Sequence, residues 1–258
     1  MPHRPIFILV PGAWHAPSTW DKITSILTTH QYKSVPITLP STLSNAAANL
    51  LEDITAVRDA ITAETTQGRD VVIVAHSYGG FVGASAAKGL TRPKQNASSA
   101  AKDGFGHVIG IIMLASGFVQ TGSSFLDGFG GKPPPSWKID SESGFAIIVA
   151  DPRELFYHDL PEDEGNYWVE QLQKQAAKPL VEGGEHAYAG WKDVPVWFLA
   201  TTEDRALPIE AQRYFVQAAK DAGADVTFRE VESGHSLMLS RPKETGDFML
   251  EAVKYFMG

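Results

Sequence analysis

Cysteine is absent from all 258 residues, which excludes thiol nucleophiles, iron–sulfur clusters, cysteine-ligated zinc and disulfides. Runs of basic residues are missing as well. Lys and Arg total 22 against 30 Asp and Glu, a net charge of -8, and the cations stand singly, so nucleic acid is not an expected partner. Nowhere do eighteen apolar residues run together, and the apolar segment Ile6 to Val10 is too short for a signal-peptide core. The expectation is a cytoplasmic protein without a membrane span. No His-Glu-x-x-His spacing occurs, and the lone Gly128-x-Gly130 lacks a preceding strand, so neither a metal nor a dinucleotide cofactor is expected. Asn96-Ala97-Ser98 matches a glycosylation sequon, a triplet common by chance, and is read as unused.

What is present is the composition of one large globular domain: 43% apolar residues, 20% charged, 23 Gly and 16 Pro. A chain of this length can bury roughly three quarters of the surface it exposes when unfolded, enough for a core without staples. Ile6 to Val10, Val71 to Ala75, Val108 to Ala115 and Val194 to Ala200 are unbroken apolar runs, the pattern of strands covered on both faces. Weaker strands are read at Ser34 to Leu39 and Val226 to Val231. Helices are read at Thr19 to Thr29, Ala46 to Gln67, Gly79 to Gly89, Ile209 to Ala222 and Lys243 to Phe256. Leu50, Ile54, Val57 and Ile61 place one apolar face on the second of these. Strand and helix thus alternate, which predicts an α/β fold with a doubly wound, mostly parallel sheet.

Residues 117–190 break the alternation. They are rich in glycine and aromatics, with Pro133-Pro134-Pro135 in their midst and no clear strand. An insertion after a central strand reads as a lid over the carboxyl ends of the sheet, leaving 1–116 and 191–258 as the core. Additional packing with no part in ligand binding is the alternative. Residues 93–106 read as a surface loop.

Val74-Ala75-His76-Ser77-Tyr78-Gly79-Gly80 closes a strongly apolar strand and opens a helix. A serine on so sharp a turn is strained and needs small residues two positions to either side, here Ala75 and Gly79. The segment resembles the nucleophile elbow of the α/β-hydrolase family, with alanine in place of the usual first glycine. That resemblance implies Ser77 as nucleophile, followed in the chain by an acid and then a histidine base. His235, in Glu232-Ser233-Gly234-His235-Ser236, lies where the family keeps its base. Asp204 lies in the loop after the Val194 to Ala200 strand, ahead of Pro208, where similar proteins place the acid; Glu203 is its rival. His76 should be turned away from Ser77 by the elbow and act in packing. His158 belongs to the insertion and is a weaker candidate for ligand contact. His3, His30, His107 and His186 sit in polar surroundings. Asp127, Asp151 and Asp159 are most simply solvated charges.

The loop after the first strand, Val10-Pro11-Gly12-Ala13-Trp14-His15-Ala16-Pro17, resembles the His-Gly-x-x-His-Gly loop of plant methyl esterases and hydroxynitrile lyases. Pro11 replaces the first histidine and Ala16 the second glycine. Aligned residue by residue, Ala13 and Tyr78 would supply the two backbone N–H groups of an oxyanion hole. Gly12, Trp14 and Phe118 are the residues expected at the substrate. The resemblance spans most of the chain and points to the small cofactor-free branch of the family, without the N-terminal hairpin of larger members.

The plant lyases carry a lysine after the base and a threonine in the oxyanion loop, where this chain has Ser236 and Gly12. Ester hydrolysis on a small to medium hydrophobic substrate is therefore the expected reaction. A cofactor-free lyase, carbon–carbon bond hydrolase or cyclase on the same constellation is the alternative. A receptor with vestigial catalysis is disfavoured, because all three triad positions are filled. Nothing in the sequence specifies an oligomeric state.

Overall fold

The computed structural model describes residues 4–92 and 104–258; the sequon at Asn96 and most of the 93–106 loop lie outside them. From the N-terminus, β1 (Ile6–Val10), α1 (Asp21–Thr29), β2 (Ser34–Pro36), α2 (Leu50–Thr65), β3 (Val71–His76), α3 (Tyr78–Ala86) and β4 (Val108–Leu114) alternate as the apolar pattern predicts. An irregular middle holds β5 (Trp137–Asp140), β6 (Phe145–Ile148), α4 (Pro152–Phe156), α5 (Glu162–Glu170), β7 (Gln175–Ala176) and α6 (Lys178–Val181). The alternation resumes with β8 (Val196–Thr201), α7 (Ile209–Asp221), β9 (Val226–Val231), α8 (Leu237–Ser240) and α9 (Pro242–Met257).

Six strands form one wholly parallel sheet in the order β2-β1-β3-β4-β8-β9. Every residue of β1, β3, β4 and β8 is buried, which is why these strands read as unbroken apolar runs. The edge strands β2 and β9 are partly exposed, and their sequences are correspondingly mixed. From β1 the chain steps outward to β2, then crosses back to β3 on the other side. The order reverses between β1 and β3, a switch point at which the loops leaving two adjacent strands diverge and open a crevice. Register makes this crevice local: Val10 pairs with Ala75, Ala75 with Met113, and Met113 with Phe198. The carboxyl ends of four strands therefore finish side by side.

The structure places the start of α2 at Leu50, four residues past the expected Ala46. Asn49 accepts from the Glu52 N–H while Glu52 accepts from the Asn49 N–H, a complete capping box that satisfies two otherwise unpaired donors.

The middle segment is not free of strands, as its composition suggested; β5, β6 and β7 form a small antiparallel sheet. Its strands span four, four and two residues and mix buried with partly exposed positions, so no apolar run marks them. The β5–β6 turn is closed by Ser143, whose N–H and hydroxyl both donate to Asp140, and by Gly144 at φ 74°.

Candidate active site

Ser77 stands one residue beyond β3 with φ 52° and ψ −125°, a backbone conformation that costs on the order of 1–3 kcal/mol for a non-glycine residue. Its surroundings leave it little alternative. The Ser77 N–H donates to the Leu114 carbonyl at 3.1 Å, while its own carbonyl accepts from the Ser116 hydroxyl at 2.6 Å and the Gly80 N–H at 3.0 Å. A Cβ on Gly79 would lie 2.6 Å from the carbonyl oxygens of Val10 and Pro11, and one on Gly80 would lie 2.1 Å from Ser116 Oγ. Gly79 thus lets α3 rise directly beside the end of β1, and Gly80 beside the segment that follows β4. Gly12 packs against the back of this turn, where a Cβ would meet His76 Nδ1 at 3.0 Å and Ser77 Cβ at 3.1 Å. It supports the serine and is not among the residues that line the cavity.

Asp204 accepts from His235 Nδ1–H at 2.8 Å. Its carboxylate is fully occupied: Oδ1 takes the N–H groups of Ala206 and Leu207 at 2.8 and 2.7 Å, and Oδ2 takes the Thr201 hydroxyl at 2.8 Å and the Gln212 amide at 3.2 Å. With Nδ1 donating, the Nε2 of a neutral His235 is left with its lone pair. Glu203, the rival acid, is exposed. Ser77 and His235 line the same cavity. Among the described residues no hydrogen bond joins the Ser77 hydroxyl to His235; in sites without substrate such bonds are often long and tighten in the reaction complex.

His76 is turned to the base and not to the serine. Its Nε2–H donates to the His235 carbonyl at 2.9 Å and its ring centroid lies 4.6 Å from that of His235. Burial, then the charges of His235 and His15, push the His76 imidazole well below its ordinary pKa, so it stays neutral.

The loop after β1 is gripped by the insertion. Trp14 takes φ 62°; its N–H donates to Gln175 at 3.2 Å, its indole N–H to the Ala146 carbonyl at 2.9 Å, and its carbonyl accepts from the Gln173 N–H at 2.8 Å. His15 donates from Nδ1 to the Ala13 carbonyl at 2.6 Å and accepts the Tyr157 hydroxyl on Nε2 at 2.9 Å. Burial drops the His15 pKa to about 4, against the Ala13 carbonyl and helped by His235. The N–H of Ala13 and that of Tyr78, the first residue of α3, have no acceptor among the described residues. Both residues line the cavity. The Tyr78 hydroxyl is anchored to buried Asp53 at 2.9 Å, which also accepts from Ser41 N–H and Oγ. Burial raises the Asp53 pKa despite those donors.

The cavity above Ser77 holds about 220 Å³. Trp14 and Phe118 line it, joined by Phe125, Phe129, Trp137 and Phe156 from the insertion and by Leu207 and Phe215 from the β8–α7 region. The two core residues escaped sequence reading because they look like ordinary apolar positions of a loop and an amphipathic helix. His158 does not line the cavity above Ser77; its Nε2–H donates to the Glu203 carbonyl at 2.9 Å. One reading of the insertion is corrected. Asp159 is not a solvated charge but accepts from the Gly234 N–H at 2.8 Å and the Ser233 hydroxyl at 3.1 Å. Burial works to raise its pKa, yet the Ser240 hydroxyl, the Gly234 N–H and the Ser233 hydroxyl outweigh it and hold the carboxyl below its usual range. Asp151 caps α4, and Asp127 accepts from the Ser124 N–H.

A strained serine at a parallel-sheet switch point, with an Asp-bound histidine in the same cavity, is the layout of one known fold family, and comparison with known proteins agrees. The chain belongs to the alpha/beta hydrolase family, whose model matches residues 7–248. It is 29% identical over 245 residues to the alpha/beta hydrolase nvfD of Aspergillus novofumigatus, covering 93% of this chain and 92% of that protein. Among solved structures, polyneuridine aldehyde esterase superposes with a TM-score of 0.74 at 17% identity, over 97% of this chain and 99% of that one. Tomato methylketone synthase I, solved with 2-tridecanone, gives 0.74 at 16% identity over 98% and 99%. At such identities the two structures speak to the fold alone. Among the described residues no helix is long and apolar enough to cross a membrane.

Proposed function

We propose that this protein is a serine hydrolase that cleaves a small to medium, hydrophobic carboxylic ester through an acyl-enzyme. The observation that carries the reading is the Asp204–His235 pair, bonded at 2.8 Å and opening on the same cavity as a serine held at φ 52°. In the first step Ser77 Oγ attacks the ester carbonyl while His235 Nε2 takes its proton. The tetrahedral oxyanion receives the free N–H groups of Ala13 and Tyr78. The carbon–oxygen bond to the alcohol then breaks as His235 returns the proton to the leaving oxygen. Water, deprotonated by the same imidazole, attacks the acyl carbon; the bond from that carbon to Ser77 Oγ then breaks as His235 returns the proton to Oγ, releasing the acid and free Ser77. Asp204 keeps the proton on Nδ1 throughout. Residues 117–190 act as the lid, supplying aromatic walls that favour an apolar acyl or alkyl group.

The test pairs a fluorophosphonate probe with p-nitrophenyl esters of increasing chain length. The parent should label and turn over, and Ser77→Ala should do neither. A parent that does neither, or turnover that survives in Ser77→Ala, would remove Ser77 as nucleophile.

A further inference from the structure

Tyr157, His158 and Asp159 follow α4 in the insertion, and each takes hold of a different loop at the site. The Tyr157 hydroxyl donates to His15 on the loop after β1 at 2.9 Å. His158 donates to the carbonyl of Glu203, the neighbour of Asp204, at 2.9 Å. Asp159 accepts from the N–H of Gly234, the neighbour of His235, at 2.8 Å. Two of these loops are also tied to one another, since the Glu203 N–H donates to the Ser233 carbonyl at 3.0 Å. The fit is close: a Cβ on Gly234 would lie 2.8 Å from Asp159 Oδ1 and 2.9 Å from His158 Nε2. None of the three side chains lines the cavity, so whatever they do for the reaction they do through other residues.

We infer that Tyr157-His158-Asp159 is a three-point brace whose residues are positioning residues: it sets the Ala13 N–H, the Asp204 carboxylate and the His235 imidazole relative to one another. The inference rests on the acyl-transfer reading above. Three loops far apart in the chain must agree on one geometry, and a misplacement of about 1 Å at a reacting group costs about a hundredfold in rate. One rigid tripeptide that contacts all three loops removes their independent motion. Because it does not touch substrate, it acts on kcat and leaves KM alone.

The experiment measures kcat and KM on p-nitrophenyl butyrate, melting temperature, and amide hydrogen exchange at Gly234, for the parent, Asp159→Ala, Asp159→Asn, Tyr157→Phe and Ser77→Ala. Asp159→Ala should lower kcat about ten- to a hundredfold with KM within about twofold, and Gly234 should exchange faster. Asp159→Asn keeps an acceptor oxygen for the Gly234 N–H and should recover most of both. Tyr157→Phe should lower kcat by itself, and it decides the matter if Asp159→Ala does not fold. A lowered melting temperature with parental kcat overturns the brace, as does Asp159→Asn behaving no better than alanine. A parent without turnover, or an active Ser77→Ala, sinks the acyl-transfer reading instead. In that case exchange at Gly234 still decides: faster in Asp159→Ala supports the brace, unchanged overturns it.

Discussion

Replacing Asp204 by Asn is the sharpest single perturbation, because the structure dictates which way the new amide must face. Oδ1 of Asp204 receives two backbone N–H groups, from Ala206 and Leu207, at 2.8 and 2.7 Å. Neither donor can turn away, so the carbonyl oxygen of Asn must occupy that side. Its NH2 group then takes the place of Oδ2 and points at His235 Nδ1, 2.8 Å away in the parent. Two donors cannot share that bond; the imidazole must accept on Nδ1 and carry its proton on Nε2, where it can no longer remove one from Ser77. In a Ser-His-Asp site the wrong tautomer costs about 10⁴ in kcat, roughly 5 kcal/mol of transition-state stabilisation. Folding should suffer far less. The Thr201 hydroxyl can rotate to accept, and only the Gln212 bond of 3.2 Å is lost outright, about 1 kcal/mol. Steady-state hydrolysis of a p-nitrophenyl ester beside a urea titration separates the two effects. An Asp204→Asn enzyme within tenfold of the parent's kcat would refute the reasoning, since Asp204 would then not govern the imidazole tautomer.

Gly80→Ala should destabilise by about 1–3 kcal/mol and lower kcat, because its Cβ would stand 2.1 Å from Ser116 Oγ, the group that donates to the Ser77 carbonyl. Adding Ser116→Gly should recover part of the stability in a double-mutant cycle, whereas strict additivity would count against the clash. Acid should weaken the fold through His15: below its ordinary 6.5 the unfolded chain binds a proton that the folded chain refuses until about 4. Stability is thus unaffected by this group above pH 6.5 and falls as pH drops through that window, by roughly 3 kcal/mol at about 1.4 kcal/mol per pH unit. Urea titrations at pH 7.5 and 4.5 should show the loss, and His15→Gln should show a shallower one; an equal slope in both would mean that other groups carry it.

The sheet was legible because burial on both faces leaves strands with no polar residue to place. Val71-Val72-Ile73-Val74 and Val196-Trp197-Phe198-Leu199 have no other fold-compatible reading at that length. Ser77 was legible for a steric reason, as the small residues its turn demands are adjacent in sequence. Asp204 and His235 were placed by order along the chain and by resemblance, and the structure brings them to 2.8 Å. The capping box at Asn49 and Glu52 was also there to be read, and it would have corrected the start of α2. The small sheet of the insertion was not legible, since strands of two to four residues carry no period long enough to detect. His15 and Asp159 were passed over because a titratable side chain reads as solvated until its partner, here 142 residues away for His15 and 75 for Asp159, is known.

That last failure has a physical basis in how the labour is divided. The parallel core can strain Ser77 and saturate Asp204 with local bonds alone, because the strand ends that do so are already in register. Strand pairing stops before the loops after β1, β8 and β9, and within the core the bonds from the Glu203 N–H to the Ser233 carbonyl and from His76 to the His235 carbonyl hold the last two. The insertion, entering after β4 between the two halves of the core, bonds to all three. The aromatic walls of the cavity and the bonds from Tyr157, His158 and Asp159 come from that one segment. Apolar walls announce themselves in composition, whereas bonds between distant polar residues do not. The insertion therefore reads in sequence as a cover over the site, while in the folded chain it also holds the site's loops together.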